Sequence, residues 1–397
     1  MERVVVVGAS LAGLRAIETL RAEGFAGEIV AIGAEPEPPY DRPPLSKQFL
    51  KGDWDEERIA LRRQGSQDLQ VEWRLGRPAT ALDVGAKEVV LEGGERVRYD
   101  AVLLATGSLA RRLPFERGRA GVHVLRSLAD ARALRGELEG GVRVTVIGAG
   151  FIGMEVAATC RERGLEVHVV EPLATPLQRG LGEALGAHVA ARFREHGVDL
   201  RLGVGVEDFV GGERVSGVRL SDGKVVASDV VVVGIGVRPA TDWLAGSGLE
   251  VEDGVLCDAS GATAAPDVYA AGDVARWKPV GGGVARRHEH WTHAVEQGVH
   301  VARRMLHGPG LGGLDVVPYV WSDQFEMRIA IAGEPTRGDH MELCCGSLEE
   351  GRFLALFGER ERLVGAVAFR RPRQLNAARK LIAEGAGLQG ALDVLSS

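Results

Sequence analysis

Two six-residue segments have the glycine spacing that could hold a phosphate group. Residues 148–153 read GAGFIG, which places Gly148, Gly150 and Gly153 at the three positions of the G-x-G-x-x-G pattern. The first glycine makes a tight turn, the second lets the backbone approach a pyrophosphate, and the third lets a helix pack closely against a strand. The helix that follows favours the phosphate charge at its N-terminus. This segment therefore predicts a dinucleotide-binding loop.

The second segment departs from the pattern at one position. Residues 8–13 read GASLAG, so that Gly8 and Gly13 are kept while Ser10 replaces the middle glycine. Serine is the smallest polar replacement, and its hydroxyl can donate a hydrogen bond to a phosphate. Serine also restricts the backbone more than glycine does, so the loop must hold a negative φ there. We interpret this segment as a second working phosphate loop.

The elements around both loops follow one plan. The apolar run VVVV precedes GASLAG, and LRAIETLRAEG and EIVAIGAE follow it; VRVTVI precedes GAGFIG, and MEVAATCRERG and LEVHVVE follow it. Each reads as strand, glycine loop, helix and strand. The segments RYDAVLLATGS and DVVVVGIGVRP end the two repeats in matching ways. The repeats start about 140 residues apart, which suggests an internal duplication and predicts an α/β class with parallel sheets.

The pattern changes from about Pro318 onward. WSDQFEMRIAIAG, HMELCCGS, RFLALFGE and RLVGAVAF read as consecutive short strands with turn residues between them, and RPRQLNAARKLIAEG reads as a helix. We expect a separate C-terminal α+β domain.

Two phosphate loops imply two dinucleotides, for which FAD and a nicotinamide nucleotide are the natural pair. Glu171 ends the second strand of the later repeat, where a carboxylate accepts hydrogen bonds from an adenosine ribose. Such a carboxylate repels the extra phosphate of NADPH, and Pro172 offers no cation, so we expect NADH; Arg179 is the residue that could overturn this. In the first repeat Ala34 occupies the tightest spacing, and Glu35 is the nearest carboxylate.

Composition excludes several classes of protein. The chain has 397 residues, which favours two or three domains, and its net charge of -7 argues against nucleic acid as the main partner. No apolar run approaches the roughly 20 residues of a membrane span, and the N-terminus lacks a signal-peptide layout. We therefore expect a cytoplasmic protein that does not enter a membrane.

The cysteines and histidines favour no metal site. None of the four cysteines forms a C-x-x-C or zinc spacing, so we expect reduced structural thiols. His288, His290 and His293 invite a metal interpretation, but they lie at a loop-to-helix transition without a carboxylate arrangement to match. No cysteine precedes Cys160, so a dithiol relay in the first helix is excluded.

The segment PPYDRPPLSKQFL at residues 38–50, with TAAPDVYAAGDVA, EHWTHAVEQG and the two loops, resembles the FAD-dependent NAD(P)H:ferredoxin reductases. This family includes the putidaredoxin reductase and biphenyl dioxygenase ferredoxin reductase types, with apoptosis-inducing factor as a more distant relative. The resemblance covers nearly the whole chain. It implies a glutathione-reductase-like fold with two dinucleotide-binding domains: FAD at 1–110 and 241–317, NAD at 111–240, and a C-terminal α+β domain at 318–397.

The resemblance also implies roles for single residues. Lys47 would lie near the flavin N5, and Glu155 would lie at the nicotinamide and pair with Lys47. The residues assigned to FAD, by spacing or by resemblance, are Gly8, Ser10, Ala12, Gly13, Glu35, Arg42, Lys47, Ala79, Arg126, Asp273 and Trp291. Those assigned to NADH are Gly148, Gly150, Ile152, Gly153, Glu155, Glu171 and Gly236. Three departures stand out: Ser10 and Ala34 in the FAD repeat, and His293 where Asn is more usual.

The implied activity is electron transfer from NADH through FAD to a [2Fe-2S]-type ferredoxin that feeds a Rieske oxygenase or a bacterial cytochrome haem monooxygenase. The alternatives are another flavin-dependent NADH oxidoreductase, acting on rubredoxin, nitrite or oxygen, and a redox sensor like apoptosis-inducing factor. An acidic ferredoxin needs cations on the docking face. The docking candidates are Arg286, Arg287, Arg303, Arg304, Arg328 and Trp321. Monomer and dimer both stay open.

Overall fold

The computed structural model describes residues 1–62, 68–116 and 118–396. The chain forms two compact units, each assembled from three segments. The first unit contains Met1–Asp41, Ile59–Leu109 and Arg238–Val316, and the second unit contains Arg42–Arg58, Ala110–Val237 and Val317–Ser397.

The first unit is built on a five-stranded parallel sheet. Its strands, in spatial order, are Val268–Ala270, Ala101–Leu104, Arg3–Val7, Glu28–Ile32 and Val71–Arg74. The central strand is buried on both faces, as its continuous valine run predicts. The helices Leu11–Ala22 and Trp291–His307 pack against each other in this unit.

The second unit contains a parallel sheet of the same design. Its strands, in spatial order, are Asp199–Leu202, Glu166–Glu171, Arg143–Ile147, Val230–Val233 and Val122–His123. In both sheets, the strand before the glycine loop lies between the strand after the helix and the strand that ends the repeat. The predicted α/β class with parallel sheets is therefore confirmed, and the shared strand order supports the duplication.

Each unit adds a three-stranded antiparallel sheet at the equivalent point of the chain. The strands are Ala79–Asp83, Glu88–Leu91 and Arg96–Arg98 in the first unit, and Val206–Gly211, Val215–Leu220 and Val225–Ala227 in the second.

The C-terminal segment forms an antiparallel sheet and two helices. The strands, in spatial order, are Tyr319–Gln324, Met327–Gly333, Arg362–Phe369, Arg352–Glu359 and His340–Ser347. The predicted strands and the predicted helix, Pro372–Ala383, are present, and a further helix, Leu388–Ser396, was not predicted. Side chains of the sheet, including Ile329 and Phe353, share an apolar core with Met154 and Phe193 of the parallel-sheet helices.

The remaining described elements connect these sheets. The strands are Ser108–Ala110, Val237–Pro239, Val255–Cys257, Ala275–Trp277 and Arg286–Arg287; the α-helices are Gln48–Lys51, Glu56–Ile59, Leu128–Glu137, Phe151–Glu162 and Gln178–Glu195; the 3-10 helices are Pro43–Ser46, Asp242–Leu244, Gly272–Val274, Gly308–Leu311 and Pro335–Arg337. None of the helices in the described part of the chain has the length and apolar character needed to cross a membrane.

Candidate functional site

The first glycine loop, in the first unit, requires glycine at its outer positions. Gly8 has a φ of 122°, and a Cβ there would lie 2.0 Å from the carbonyl oxygen of Ala105. A Cβ on Gly13 would lie 2.1 Å from the carbonyl oxygen of Gly8. Both distances are far shorter than any real carbon–oxygen contact, so the turn and the helix–strand packing depend on these two glycines.

Ser10 is compatible with this loop. It is the N-cap of the helix Leu11–Ala22, with φ -127° and ψ -158°, which is extended backbone that any residue adopts. The expected negative φ is therefore confirmed. Its hydroxyl makes no capping hydrogen bond, so it remains available to a ligand at the helix N-terminus.

The second loop likewise requires glycine at its outer positions and tolerates a side chain at its middle position. A Cβ on Gly148 would lie 2.4 Å from the carbonyl oxygen of Gly234, and one on Gly153 would lie 2.1 Å from that of Gly148. Gly150 has φ -76° and open space around its Cβ position. In both loops, sterics demand the outer glycines and leave the middle position free. Both loops therefore fit a dinucleotide pyrophosphate.

Glu171 lies beside the second loop, as expected from its position at the end of its strand. The carboxylate is buried and accepts hydrogen bonds from the backbone N–H groups of Ala149, at 2.7 Å, and Leu173, at 3.0 Å. These donors fix the carboxylate within the loop. Pro172 and Arg179 are both exposed.

Ile152 and Gly236 are accessible on the second unit. Ile152 is 48% exposed although it is a large apolar side chain on the first turn of the loop helix. Gly236 is exposed, with a φ of 95°.

The remaining FAD candidates of the first unit lie in defined hydrogen-bond networks. Asp273 accepts a hydrogen bond from the Ser108 hydroxyl at 2.8 Å, and the Trp291 indole donates to Asp41 at 2.8 Å. Glu35 accepts a hydrogen bond from the Tyr40 hydroxyl. Ala12 is buried on the loop helix, and Ala79 is half-buried at the start of its strand.

Two residues that the sequence did not single out support this region. Gly298 lies where the helices Leu11–Ala22 and Trp291–His307 meet, and a Cβ there would lie 2.4 Å from the carbonyl oxygen of Ala12. The buried Gln297 side chain accepts a hydrogen bond from the backbone N–H of Gly272 at 2.8 Å, next to Asp273. In the sequence, Gly298 and Gln297 are marked only as a small and a polar residue on a helix face that packs inward.

Lys47 and Glu155 form a buried ion pair in the second unit. Lys47 Nζ lies 2.7 Å from Glu155 Oε2, with the side chains 13% and 5% exposed. Lys47 follows the 3-10 helix Pro43–Ser46, whose two prolines restrict the backbone before it. Glu155 projects from the helix Phe151–Glu162, which begins at the second loop. The pairing expected from the sequence is therefore present, while the roles of both residues toward cofactors remain a prediction.

Hydroxyl groups surround the Glu155 carboxylate. Ser46 Oγ donates to Oε2 at 2.5 Å, and Ser322 Oγ donates to Oε1 at 2.7 Å. The Thr159 hydroxyl donates to the carbonyl oxygen of Ser46 at 2.7 Å, and the Gln324 side-chain amide donates to Ser322 Oγ at 3.0 Å. All four of these neutral side chains are buried, namely Ser46, Thr159, Ser322 and Gln324. We call Ser46, Lys47, Glu155, Thr159, Ser322 and Gln324 the carboxylate network.

The carboxylate network leaves specific donors and acceptors for a ligand. A carboxylate oxygen accepts about two hydrogen bonds, so Oε2 is filled by Lys47 and Ser46, whereas Oε1 retains one acceptor position among the described contacts. Lys47 Nζ also donates to Ser46 Oγ at 3.3 Å, so one of its three N–H groups has no partner among the residues that the structure describes. The site can therefore place a positive charge and a hydrogen-bond acceptor against one bound group.

Two arginines expected at FAD also belong to the second unit. Arg42 donates to the carbonyl oxygen of Arg126 at 2.6 Å. The backbone N–H of Arg126 donates in turn to Asp130, at the start of the helix Leu128–Glu137.

The docking candidates differ in how much of their charge faces solvent. Arg287 is only 9% exposed and pairs with Asp253 and Glu289, so little of it is left for a partner to contact. Arg303 pairs with Glu23 at 2.6 Å. Arg304 donates to the Ser260 hydroxyl at 3.1 Å.

Of the other docking candidates, two arginines are exposed to solvent and one residue is aromatic. Arg286 is exposed, and Arg328 is 58% exposed and lies 3.9 Å from Asp323. Trp321 is half-buried on the strand Tyr319–Gln324.

The histidine cluster is half-buried at His288 and His290 and buried at His293. The rings of His288 and His293 lie 4.5 Å apart, and burial lowers the pKa of His288 to about 4. Within residues 1–62, 68–116 and 118–396, no three His, Cys, Asp or Glu side chains are grouped as metal ligands.

The chain matches two protein families. Residues 2–298 match the family described as pyridine nucleotide-disulphide oxidoreductase, and residues 319–392 match the family described as reductase C-terminal.

Curated relatives match over nearly full length. Rhodocoxin reductase of Rhodococcus erythropolis is 37% identical over 383 residues, covering 96% of this chain and 89% of that protein. The biphenyl dioxygenase system ferredoxin–NAD(+) reductase component of Paraburkholderia xenovorans (strain LB400) is 35% identical, covering 96% and 93%.

Solved structures have the same fold. The ferredoxin reductase for the CYP199A2 system from Rhodopseudomonas palustris superimposes with a TM-score of 0.94 at 32% identity, covering 100% of this chain and 98% of that chain. The reductase in the covalent putidaredoxin reductase–putidaredoxin complex gives a TM-score of 0.92 at 30% identity, covering 97% and 93%.

Proposed function

The chain belongs to the pyridine nucleotide-disulphide oxidoreductase family, and from that premise we propose that it is an NADH-dependent ferredoxin reductase that uses FAD. The observation that carries the proposal is the buried Lys47–Glu155 pair in a chain with two phosphate loops and no cysteine before Cys160. The FAD repeat has no cysteine, so the chain offers no thiol pair there to relay electrons from a bound flavin. When bound, FAD accepts a hydride from NADH and delivers single electrons to a one-electron carrier.

Each cofactor has its own set of residues. The loop at Gly8 and Gly13, with the Ser10 hydroxyl, would hold the FAD pyrophosphate, and Asp273 and Trp291 would hold the ribityl chain and the flavin ring. The loop at 148–153 and Glu171 would hold NADH. We propose the corresponding domains at 1–110 with 241–317, at 111–240 and at 318–397.

Lys47 and Glu155 act on the reacting end of the cofactors. Lys47 would stabilise negative charge on a bound flavin, since a fixed cation in a buried site acts more strongly than one in water. Glu155 holds the Lys47 ammonium in a fixed orientation. Its remaining Oε1 acceptor position suits the carboxamide N–H₂ of nicotinamide, so the same carboxylate orients both partners of the hydride transfer.

Glu171 selects the electron donor. The carboxylate is held by two backbone N–H groups, and it would accept hydrogen bonds from the ribose hydroxyls of NADH. The extra phosphate of NADPH would meet this negative charge, with the exposed Arg179 as the cation that could offset it.

The electron acceptor is a [2Fe-2S]-type ferredoxin of a Rieske oxygenase or a cytochrome haem monooxygenase. The names of the relatives support this partner class, because one includes ferredoxin and a dioxygenase system and another describes a complex with putidaredoxin. The docking face includes the candidate residues Arg286, Arg287, Arg303, Arg304, Arg328 and Trp321. Because NADH is the donor, we place the reaction in the cytoplasm.

The test is reduction of cytochrome c by NADH, measured with and without an added [2Fe-2S] ferredoxin. Strong dependence on the ferredoxin supports the proposal. Fast reduction of rubredoxin, nitrite or oxygen without ferredoxin would replace it with another flavin oxidoreductase. Slow turnover with a long-lived NADH–flavin charge-transfer absorbance would instead indicate a redox sensor.

A further inference from the structure

We infer that Ser322 is a positioning residue for Glu155: its hydroxyl donates to the carboxylate and orients it toward Lys47. This inference rests on the proposed function for its catalytic meaning. Ser322 is fully buried, and its Oγ lies 2.7 Å from Glu155 Oε1. The contact joins residues 167 positions apart, because Ser322 belongs to the C-terminal sheet.

The direction of the hydrogen bonds follows from proton counting. An ionised carboxylate only accepts, so the single proton of the Ser322 hydroxyl must point to Glu155. Ser322 Oγ then needs a donor, and the Gln324 amide supplies it at 3.0 Å. Ser322 and Gln324 lie two positions apart on one strand, so both face inward, while Trp321 faces the other way. Gln324 thus orients the hydroxyl that orients Glu155.

Among the described residues, Ser322 makes a contact with Glu155 that no other side chain makes. Oε2 already takes Lys47 and Ser46, whereas Ser322 is the donor that the described contacts give to Oε1. Lys47 is the charged side chain that contacts the carboxylate in the described structure, and its other neighbours are neutral. A buried carboxylate depends on such donors to stay ionised. Loss of the hydroxyl would therefore favour protonation of Glu155 and release Lys47.

The experiment is an infrared pH titration of the FAD-bound enzyme, without NADH. The Glu155 carboxyl band is identified as the band that Glu155→Gln removes. In Ser322→Ala, we expect the protonated band to appear about one pH unit or more above its position in the unchanged enzyme. Ser322→Thr, which keeps the hydroxyl, should restore the original titration. The control is Ser228→Ala, which removes another fully buried hydroxyl of the second unit that bonds to Thr145 instead.

Anaerobic stopped-flow reduction by NADH gives the second measurement. Relative to the unchanged enzyme, Ser322→Ala should slow reduction by up to about tenfold, the factor that corresponds to one pH unit, with the larger effect at the more acidic pH. Should Ser322→Ala fold poorly, Ser322→Cys keeps the size with a weak donor and should shift the titration in the same direction. The inference is overturned when the band titrates alike in all Ser322 variants, or when Ser228→Ala shifts it equally. Failure of NADH to reduce the flavin would reject the proposed function while the infrared titration still decides the position of Ser322.

Discussion

The buried Lys47–Glu155 pair contributes less to net stability than its short N–O distance suggests. Desolvation of two buried charges offsets much of their attraction, so a buried ion pair contributes little net stability compared with apolar side chains. Removal of one partner strongly destabilises the protein, because an uncompensated charge is left in the interior. The hydroxyls of Ser46 and Ser322 reduce this cost by hydrogen bonding to the carboxylate.

Lys47→Met should therefore destabilise the protein by about 3–5 kcal/mol, while the double variant Lys47→Met/Glu155→Leu should recover much of this loss. Urea unfolding at pH 7 measures both. Lys51→Met is the matched control, because Lys51 and Glu162 form an exposed pair in the same unit and its loss should cost less than about 1 kcal/mol. Equal losses for Lys47→Met and Lys51→Met would contradict the buried-charge argument.

Glu171 offers a test of donor selection at the residue scale. Glu171→Ala should lower the ratio of kcat/KM for NADH over NADPH by about 10- to 100-fold, because the ribose loses a charged acceptor and the repulsion of the extra phosphate ends. Arg179→Ala, which changes an exposed side chain, should leave a preference for NADH in place. A preference unchanged by Glu171→Ala would show that selection lies elsewhere.

Sequence identified part of this site and missed the rest for a physical reason. Lys47 and Glu155 could be predicted from the resemblance of their segments to known reductases. Ser322 carries no such mark, since a serine in a strand is ordinary until the antiparallel sheet brings it to Glu155. Contacts that depend on tertiary packing over 167 positions have no local pattern.

At the scale of elements, the two glycine loops have a steric requirement for glycine at their outer positions and none at the middle position. The outer glycines meet backbone atoms of their own unit, whereas Ser10 and Gly150 have extended backbone and room for a side chain. The substitution at Ser10 is therefore consistent with a working loop.

Gly13→Ala should consequently destabilise the first unit and reduce FAD retention, because its Cβ would meet the carbonyl oxygen of Gly8 at 2.1 Å. We expect a loss of about 3 kcal/mol or more, at the upper end for overpacking. Ser10→Ala should fold normally and bind FAD within about tenfold of the unchanged protein, the range for one lost hydrogen bond. Thermal unfolding and flavin fluorescence titration check the pair, and the reverse order of effects would refute the steric assignment.

Strand and helix positions were largely predictable from apolar runs and 3.6-residue periodicity. Two features of the C-terminal segment were not. The helix Leu388–Ser396 is short and buries only Leu388 and Ala391, which gives a weak signal. HMELCCGS reads as a plain strand, but its register shifts after Cys344, and Cys345 adopts a φ of 59°, which brings the two free thiols to 2.9 Å. Neighbouring side chains in a regular strand would point to opposite faces.

At the scale of the whole molecule, half-buried histidines contribute to the response to acid. Burial lowers the pKa of His288 to about 4, and burial also lowers the pKa values of His290, His300, His123 and His188. The unfolded chain therefore binds more protons than the folded chain below about pH 6.5, and stability falls as pH falls toward 4.

We expect the unfolding free energy to fall between pH 6.5 and pH 4, with His288 alone contributing up to about 1.4 kcal/mol per pH unit. Urea unfolding across this range measures the slope, and His288→Asn should flatten it. Hydrogen bonds with Arg143 lower the pKa of Asp229 to about 2. Asp229 therefore titrates below this window and serves as a separate marker. Stability that stays level from pH 7 to pH 4.5 would contradict the burial of these rings as neutral groups.

The most direct test of the whole account is an anaerobic titration of the purified protein with NADH, followed by its absorbance spectrum. The account predicts a yellow protein whose flavin absorbance bleaches with about one equivalent of NADH, and a Lys47→Met/Glu155→Leu variant that binds FAD but bleaches far more slowly. A colourless protein that takes up no FAD, or a bound flavin that NADH and NADPH both leave oxidised, would contradict it.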